Sequence, residues 1–233
     1  MAWKDDYTLF TTDVKTSFNS TFSNEKAGTF ILEKAKAEKD PVRREELFRQ
    51  SIQYLERAAE IDPTQLFALI NLGNAHYEYN RNYDKVLYYY SKVFRLNRRF
   101  GNAEETFKGI IGTARDPDIR IRGYRMLLEY KPGSFTINLA LGELYGRYKN
   151  MPDSAIIFMQ QALRIDPGHI PTMSNLALMY VNIGRKDKAL EVLKKAYRIN
   201  PADHLIRENL LRLAEDIGDP ATINLISRQN QAE

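Results

Sequence analysis

The 233-residue chain contains no cysteine, which excludes disulfides, thiolate metal sites and thiol catalysis. That absence suits a reducing compartment and does not contradict an oxidising one. Histidine is scarce, with only His76, His169 and His204. No carboxylate lies at metal-ligand spacing with His169 or His204, so neither a metal nor another cofactor is expected. No apolar run approaches the ~20 residues that a membrane-spanning helix needs. The opening residues, Met1 to Asp6, lack the apolar core of a secretory signal. The chain as written is therefore expected to be soluble, without direct membrane insertion. Also missing are the motifs G-x-x-x-x-G-K, G-x-G-x-x-G and G-x-S-x-G. Glu104 and Glu105 are adjacent on a helical stretch and so point apart. No catalytic constellation is present, and the chain itself is expected to be non-catalytic.

What is present is a composition of 43% apolar and 27% charged residues, typical of a helix-rich globular protein. The net charge of +4 is unevenly spread. Between Lys92 and Lys131 there are ten Lys or Arg against five Asp or Glu. Arg95, Arg98, Arg99, Arg115, Arg120, Arg122 and Arg125 make a candidate basic patch. A solvated basic face is the plainer reading, with a polyanion site as its rival.

Helical periodicity runs through most of the chain. Trp3, Tyr7, Leu9, Phe10 and Val14 share one face of a leading helix over 3–17. A second helix is expected over 22–38, and Asp40-Pro41 reads as an N-cap and first-turn proline opening a third to Ile61. Paired helices then follow at 66–79 and 83–96, 102–114 and 117–130, 135–148 and 152–165, and 171–183 and 186–199. A helix over 205–217 is closed by Gly218, and a short one from Pro220 ends near Arg228.

The spacing is the informative quantity. Pro63 to Pro132 is 69 residues, Pro132 to Pro167 is 35, and Pro167 to Pro201 is 34. A helical hairpin repeating every 34 residues or so is the signature of a helical solenoid. NLGNAHY at 71–77, LALGELY at 139–145 and NLALMY at 175–180 recur in first helices. AIIFMQQALRIDP at 155–167 and ALEVLKKAYRINP at 189–201 recur in second helices. Through these residues the chain resembles the tetratricopeptide repeat (TPR) family. The resemblance implies an all-α, right-handed superhelical solenoid of antiparallel hairpins. A single array over 1–233 is expected, with hairpins at 21–63, 66–98, 101–132, 135–167 and 170–201 and capping helices over 204–228.

Close helix packing requires small facing residues. Gly73, Gly142 and Ala177 supply them on first helices, and Ser51, Ala58, Ala155, Ala162, Ala189 and Ala196 on second helices. Two departures stand out. Extra residues around 36–46 should lengthen the first hairpin's helices or make its turn project. In the hairpin at 101–132, Lys108, Arg120 and Leu127 replace the small residues, which predicts a splayed or shortened pair. That hairpin also carries the basic excess. Its deviation reads either as a partner site or as drift of a repeat that needs no tight packing. His76 takes the slot held by Tyr145 and Tyr180 in later hairpins, so a packed, hydrogen-bonded role is expected of it.

The family resemblance further implies that one face of each first helix lines a concave groove. By matching positions that face shows Phe67, Ile70, Asn74, Tyr77 and Glu78, then Glu105. It continues with Leu139, Glu143 and Arg147, and with Ser174, Leu178, Val181 and Asn182. Glu208, Arg212 and Glu215 complete it. Such a groove suits an extended or helical peptide with apolar anchors, which makes the chain a protein- or peptide-binding scaffold. The mode in which Lys, Asn and Arg converge on a terminal carboxylate is rejected, because Ile70 and Thr106 stand where Lys and Asn belong. No recognisable nucleic-acid module is present, so nucleic acid is not the expected partner, while homo-oligomers are allowed. The segment from Trp3 to Phe10 also resembles the start of the C-terminal repeat array of multi-span mannosyltransferase-like membrane proteins. That second resemblance implies an excised extracytoplasmic accessory domain of a glycosyltransferase, presenting acceptor polypeptide. Without it, the chain would be cytoplasmic.

Overall fold

A computed structural model of the chain describes residues 12, 14, 17–97 and 101–230. Most of the expected leading helix lies outside those residues, as do Arg98 and Arg99. The described residues form helices and turns with no strand. They fall into two compact units, 1–115 and 116–233. The first holds α1 (Thr21–Ala37), α2 (Pro41–Ile61), α3 (Leu66–Asn80), α4 (Tyr83–Leu96) and α5 (Ala103–Gly112). The second holds α6 (Pro117–Tyr130), α7 (Phe135–Glu143) with a π-helical turn (Leu144–Tyr148), α8 (Pro152–Ile165), α9 (Ile170–Asn182), α10 (Lys186–Ile199), α11 (His204–Ile217) and α12 (Pro220–Asn230). No helix among the described residues is long and apolar enough to cross a membrane.

Local chemistry places the helix ends. Ser20, Asp40, Asn82, Asp116, Ser134, His169 and Asp203 each accept a backbone N–H from the first turn that follows. Proline opens α2, α6 and α8, where its missing N–H costs nothing. The α9–α10 turn needs a left-handed residue and has Gly184 there, at φ 74°.

Packing follows the small residues. Ser51, Ala58, Ala155, Ala162, Ala189 and Ala196 have no exposed surface. Ser51 Oγ donates to the Gly28 carbonyl at 2.7 Å, which satisfies its hydroxyl inside the α1–α2 contact. A methyl at Gly73 would lie 2.8 Å from the Tyr90 ring, and one at Gly142 would lie 2.8 Å from Met159 Cγ. α1 and α2 are 17 and 21 residues long, against 13 to 15 for α3, α4, α9 and α10, so the extra residues lengthen the first hairpin.

Over 101–132 the expected shortening of a pair falls on one helix alone, since α5 has only 10 residues while α6 keeps 14. Lys108 is half-buried and bonded to Glu104 at 2.6 Å and Glu105 at 3.2 Å. Arg120 lies over the Tyr148 ring at 4.6 Å, and Asp118 pairs with Lys149 at 2.9 Å. In the second unit, polar and cation–π contacts thus join α6 to the π-helical turn.

That turn is a correction to the expected plain helix over 135–148. Gly142 to Ala155 is 13 residues, whereas the matching Ala177 to Ala189 is 12. The additional residue is absorbed by widening the last turn, with Lys149 N–H reaching the Leu144 carbonyl at 3.3 Å. Gly146 fits there because a methyl would meet Met179 Sδ at 2.8 Å.

His76 is a second correction. It is packed, stacked on Tyr89 at 5.7 Å, but neither ring nitrogen has a hydrogen-bond partner. The equivalent Tyr180 keeps a hydroxyl long enough to meet Gln160 Nε2 at 2.7 Å, a reach that imidazole lacks. Burial, with Lys85 nearby, holds the His76 pKa below its ordinary 6.5.

Two predictions follow from this packing. Gly142→Ala should cost about 1–3 kcal/mol by overpacking against Met159, while Gly109→Ala, facing open space, should gain about 0.5–1 kcal/mol. Urea unfolding of both variants checks the contrast. Because the folded His76 binds its proton more weakly than the unfolded chain does, its contribution is full above pH 6.5 and is lost as pH falls below that value. His76→Phe should therefore show a smaller stability loss than wild type between about pH 7.5 and about pH 5.5.

Candidate functional site

In the second unit the first helices α7, α9 and α11 present a face with two adjoining clefts. The larger, of ≈ 600 Å³, lies between α9 and α11 over a floor from α10. Its apolar wall is Ala177, Leu178, Val181, Leu193 and Leu213, and its rim carries Asn175, Asn209, Arg212 and Asp216. The smaller, of ≈ 230 Å³, lies between the end of α7 and α9, with Glu143, Gly146, Arg147 and Asn182 around Met159 and Met179. Asn175 and Leu178 line both. Leu178 is 54% exposed although apolar, and Val181 is 36% exposed.

Their electrostatics are mixed. Arg212 Nη2 donates to Asn209 Oδ1 at 3.2 Å, and Asp216 pairs with Lys186 at 2.7 Å. Lys194 and Thr222 hold the Asp219 carboxyl well below the usual range, with Lys194 Nζ at 2.7 Å. That contact ties α10 to the start of α12 and so steadies the larger cleft's floor from behind.

Of the expected groove residues, Glu143, Arg147, Leu178 and Asn182 line the smaller cleft, and Ser174, Leu178, Val181 and Arg212 the larger. Leu139 is half-buried and lines neither cleft. Glu208 is exposed and, contrary to the expectation that no carboxylate is spaced to meet His204, stands 3.9 Å from it because i and i+4 share a helix face; Glu215 is exposed as well. Sequence matching passed over Asn175 and Asn209, which are 34 residues apart and so recur at the repeat period.

The first unit treats its candidates differently. Asn74 Oδ1 accepts the hydroxyl of Tyr90, whose burial pushes its pKa up. Tyr77 Oη accepts from Thr113 Oγ1 at 3.2 Å, and the Arg81 guanidinium covers its ring at 3.9 Å. Glu78 lies 3.9 Å from Arg81 and Glu105 is bonded to Lys108. Phe67 is exposed with Lys26 at 6.0 Å, and Ile70 is half-buried. The clefts of this unit are lined instead by Tyr88 and Tyr89, with Lys85 or Lys92.

The basic candidates are likewise dispersed in role. Arg95 and Arg115 are exposed in the first unit. In the second, Arg120 is engaged with Tyr148, while Arg122 and Arg125 are exposed. Among the described residues no group of three or more His, Asp or Glu is placed to hold a metal ion.

These placements separate two kinds of residue. Leu178→Ala should change stability by no more than about 0.5 kcal/mol, as an exposed position does. Tyr77→Ala should cost more, since it removes the Thr113 bond and the Arg81 stack together. Thermal melts of the two variants side by side measure the difference.

Comparison with known proteins bears on the same region. Residues 135–169 and 170–203 match the tetratricopeptide repeat family, so the hairpins α7–α8 and α9–α10 are tetratricopeptide repeats. No curated protein matches the chain. Among solved structures, YrrB, described as a TPR protein with an unusual peptide-binding site, is 19% identical. It aligns over 84% of this chain and 94% of its own, with a TM-score of 0.46. A MamA protein is 18% identical over 76% of this chain and 92% of its own, with a TM-score of 0.45. MamA 41-end from Desulfovibrio magneticus RS-1 is 18% identical over 78% and 97%, with a TM-score of 0.42. At these identities and scores none of them bears on the clefts. The segment from Trp3 to Phe10 lies outside the described residues.

Proposed function

We propose that this protein, an interaction scaffold built from tetratricopeptide repeats, binds a peptide segment of a protein partner in the two adjoining clefts of its second unit. The observation that carries the reading is Leu178, an apolar side chain left 54% exposed where both clefts meet. An apolar residue of the partner would enter the larger cleft against Ala177, Val181, Leu193 and Leu213. Asn175 and Asn209, one repeat apart, offer amide donors and acceptors to an extended backbone. Arg147 and Arg212 flank this path, and Glu143 and Asp216 balance them. The rim therefore selects by register more than by net charge.

Binding is the chain's own contribution in this reading, and any chemistry belongs to what it binds. The test begins with displayed peptides selected on the intact chain. Their affinities are then measured against Leu178→Glu and the double variant Arg147→Glu, Arg212→Glu. We expect Leu178→Glu to weaken selected peptides by about 100-fold, the scale of a lost central anchor, with no fall in melting temperature. Peptides that bind the Leu178→Glu chain as well as wild type would overturn the assignment.

A further inference from the structure

On the opposite face of the second unit, α8 and α10 are separated by a further cleft of ≈ 470 Å³ whose floor is formed by α9. Its apolar surface comes from Leu163, Met173, Leu176 and Val192. Its rim carries Arg164, Lys188 and Lys195 against a single carboxylate, Glu191. All four are exposed, and none of the three cations is in an ion pair among the described residues. Lys194, by contrast, is on the same helix but is spent on Asp219. At the base of the cleft Tyr180 is 5% exposed and accepts from Gln160 Nε2 at 2.7 Å. Because that bond uses the tyrosine oxygen as acceptor, the hydroxyl proton remains for a ligand. Lys188 Nζ stands 5.8 Å over the same ring. The groups converging here are therefore mainly donors, three of them charged.

We propose that this second-helix face is a separate docking site for an acidic, apolar-flanked peptide segment, recognised by its carboxylates. It is independent of the first-helix clefts and of what they bind. Lys188 and Lys195 are seven residues apart, about 10.5 Å along α10 at 1.5 Å per residue. A polyproline-II chain advances about 9.3 Å in three residues and returns the same edge to the helix. Acidic residues at i and i+3 would thus face the two lysines in turn, while apolar residues at i+1 and i+4 turn towards the floor. Glu191 lies between the lysines, so a continuous polyanion backbone would meet repulsion midway, whereas spaced carboxylates pass on either side of it. A polyanion would also gain nothing from Leu163, Met173, Leu176 and Val192. The fit is to a protein segment.

The probe is the amidated peptide fluorescein-Gly-Asp-Leu-Pro-Asp-Leu-Pro-Gly-amide, labelled on its N-terminal amine and titrated by anisotropy into the whole chain. Saturable binding is expected, weakening with added salt. The double variant Lys188→Glu, Lys195→Glu should lose at least about tenfold in affinity, and the peptide with Asn for both Asp should lose as much. Tyr180→Phe should lose a few-fold in affinity, and Leu178→Glu should bind like wild type. The site is overturned if the charge-reversed chain or the Asn peptide binds as tightly as the original pair. It is equally overturned if Leu178→Glu abolishes binding, which assigns the peptide to the first-helix clefts. Heparin binding more tightly than the peptide, and lost on the same lysine substitutions, would make this face a polyanion surface and end the proposal.

Discussion

The close approach of two helices across small residues is the contact on which everything else here rests. Ala155, Ala162, Ala189 and Ala196 are wholly buried, and Gly73 and Gly142 leave no room for a methyl group beside Tyr90 and Met159. At such short spacing large side chains are displaced to either side of the contact line. They fill the spaces between neighbouring hairpins, and each hairpin gains its core only from the next. A methyl added at Gly73 or Gly142 would have to displace the Tyr90 ring or the Met159 side chain, which is why small residues stand at these positions.

The same geometry produces the clefts. Where first helices succeed one another over a second helix, their outer flanks diverge and expose residues one step removed from the packing line. Ala177 and Leu178 are neighbours in sequence, yet one is 2% exposed against α10 and the other 54% exposed at the junction of two clefts. A rotation of 100° per residue around a helix separates holding the fold from meeting a partner. On the reverse face, Met173, Leu176 and Tyr180 of that helix floor the cleft between α8 and α10. One helix thus supplies surface to both sides of the unit.

Much of this was legible in the sequence because it depends on spacing. Prolines at 34- and 35-residue intervals fixed where hairpins end, and small residues marked the packing line. What spacing could not show was how polar side chains would partner. Tyr77 and Asn74 match groove positions by count, but Thr113, Arg81 and Tyr90 engage them within the first unit. His76 occupies a tyrosine slot without the reach of a tyrosine hydroxyl, so it packs but does not bond. The π-helical turn was visible only as one surplus residue between Gly142 and Ala155, a difference that periodicity over a whole helix smooths away.

The central claim is that a partner peptide is held by the cleft walls of α9 and α11 while the packing line beneath them carries the fold. Hydrogen–deuterium exchange of the whole chain, with and without a peptide selected on it, tests this most directly. Added protection is expected to be confined to residues 143–147, 174–182 and 209–216, which line the two clefts, with the already protected centres of α8 and α10 unchanged. Protection spread evenly over both units, or concentrated in α3 and α5, would contradict it.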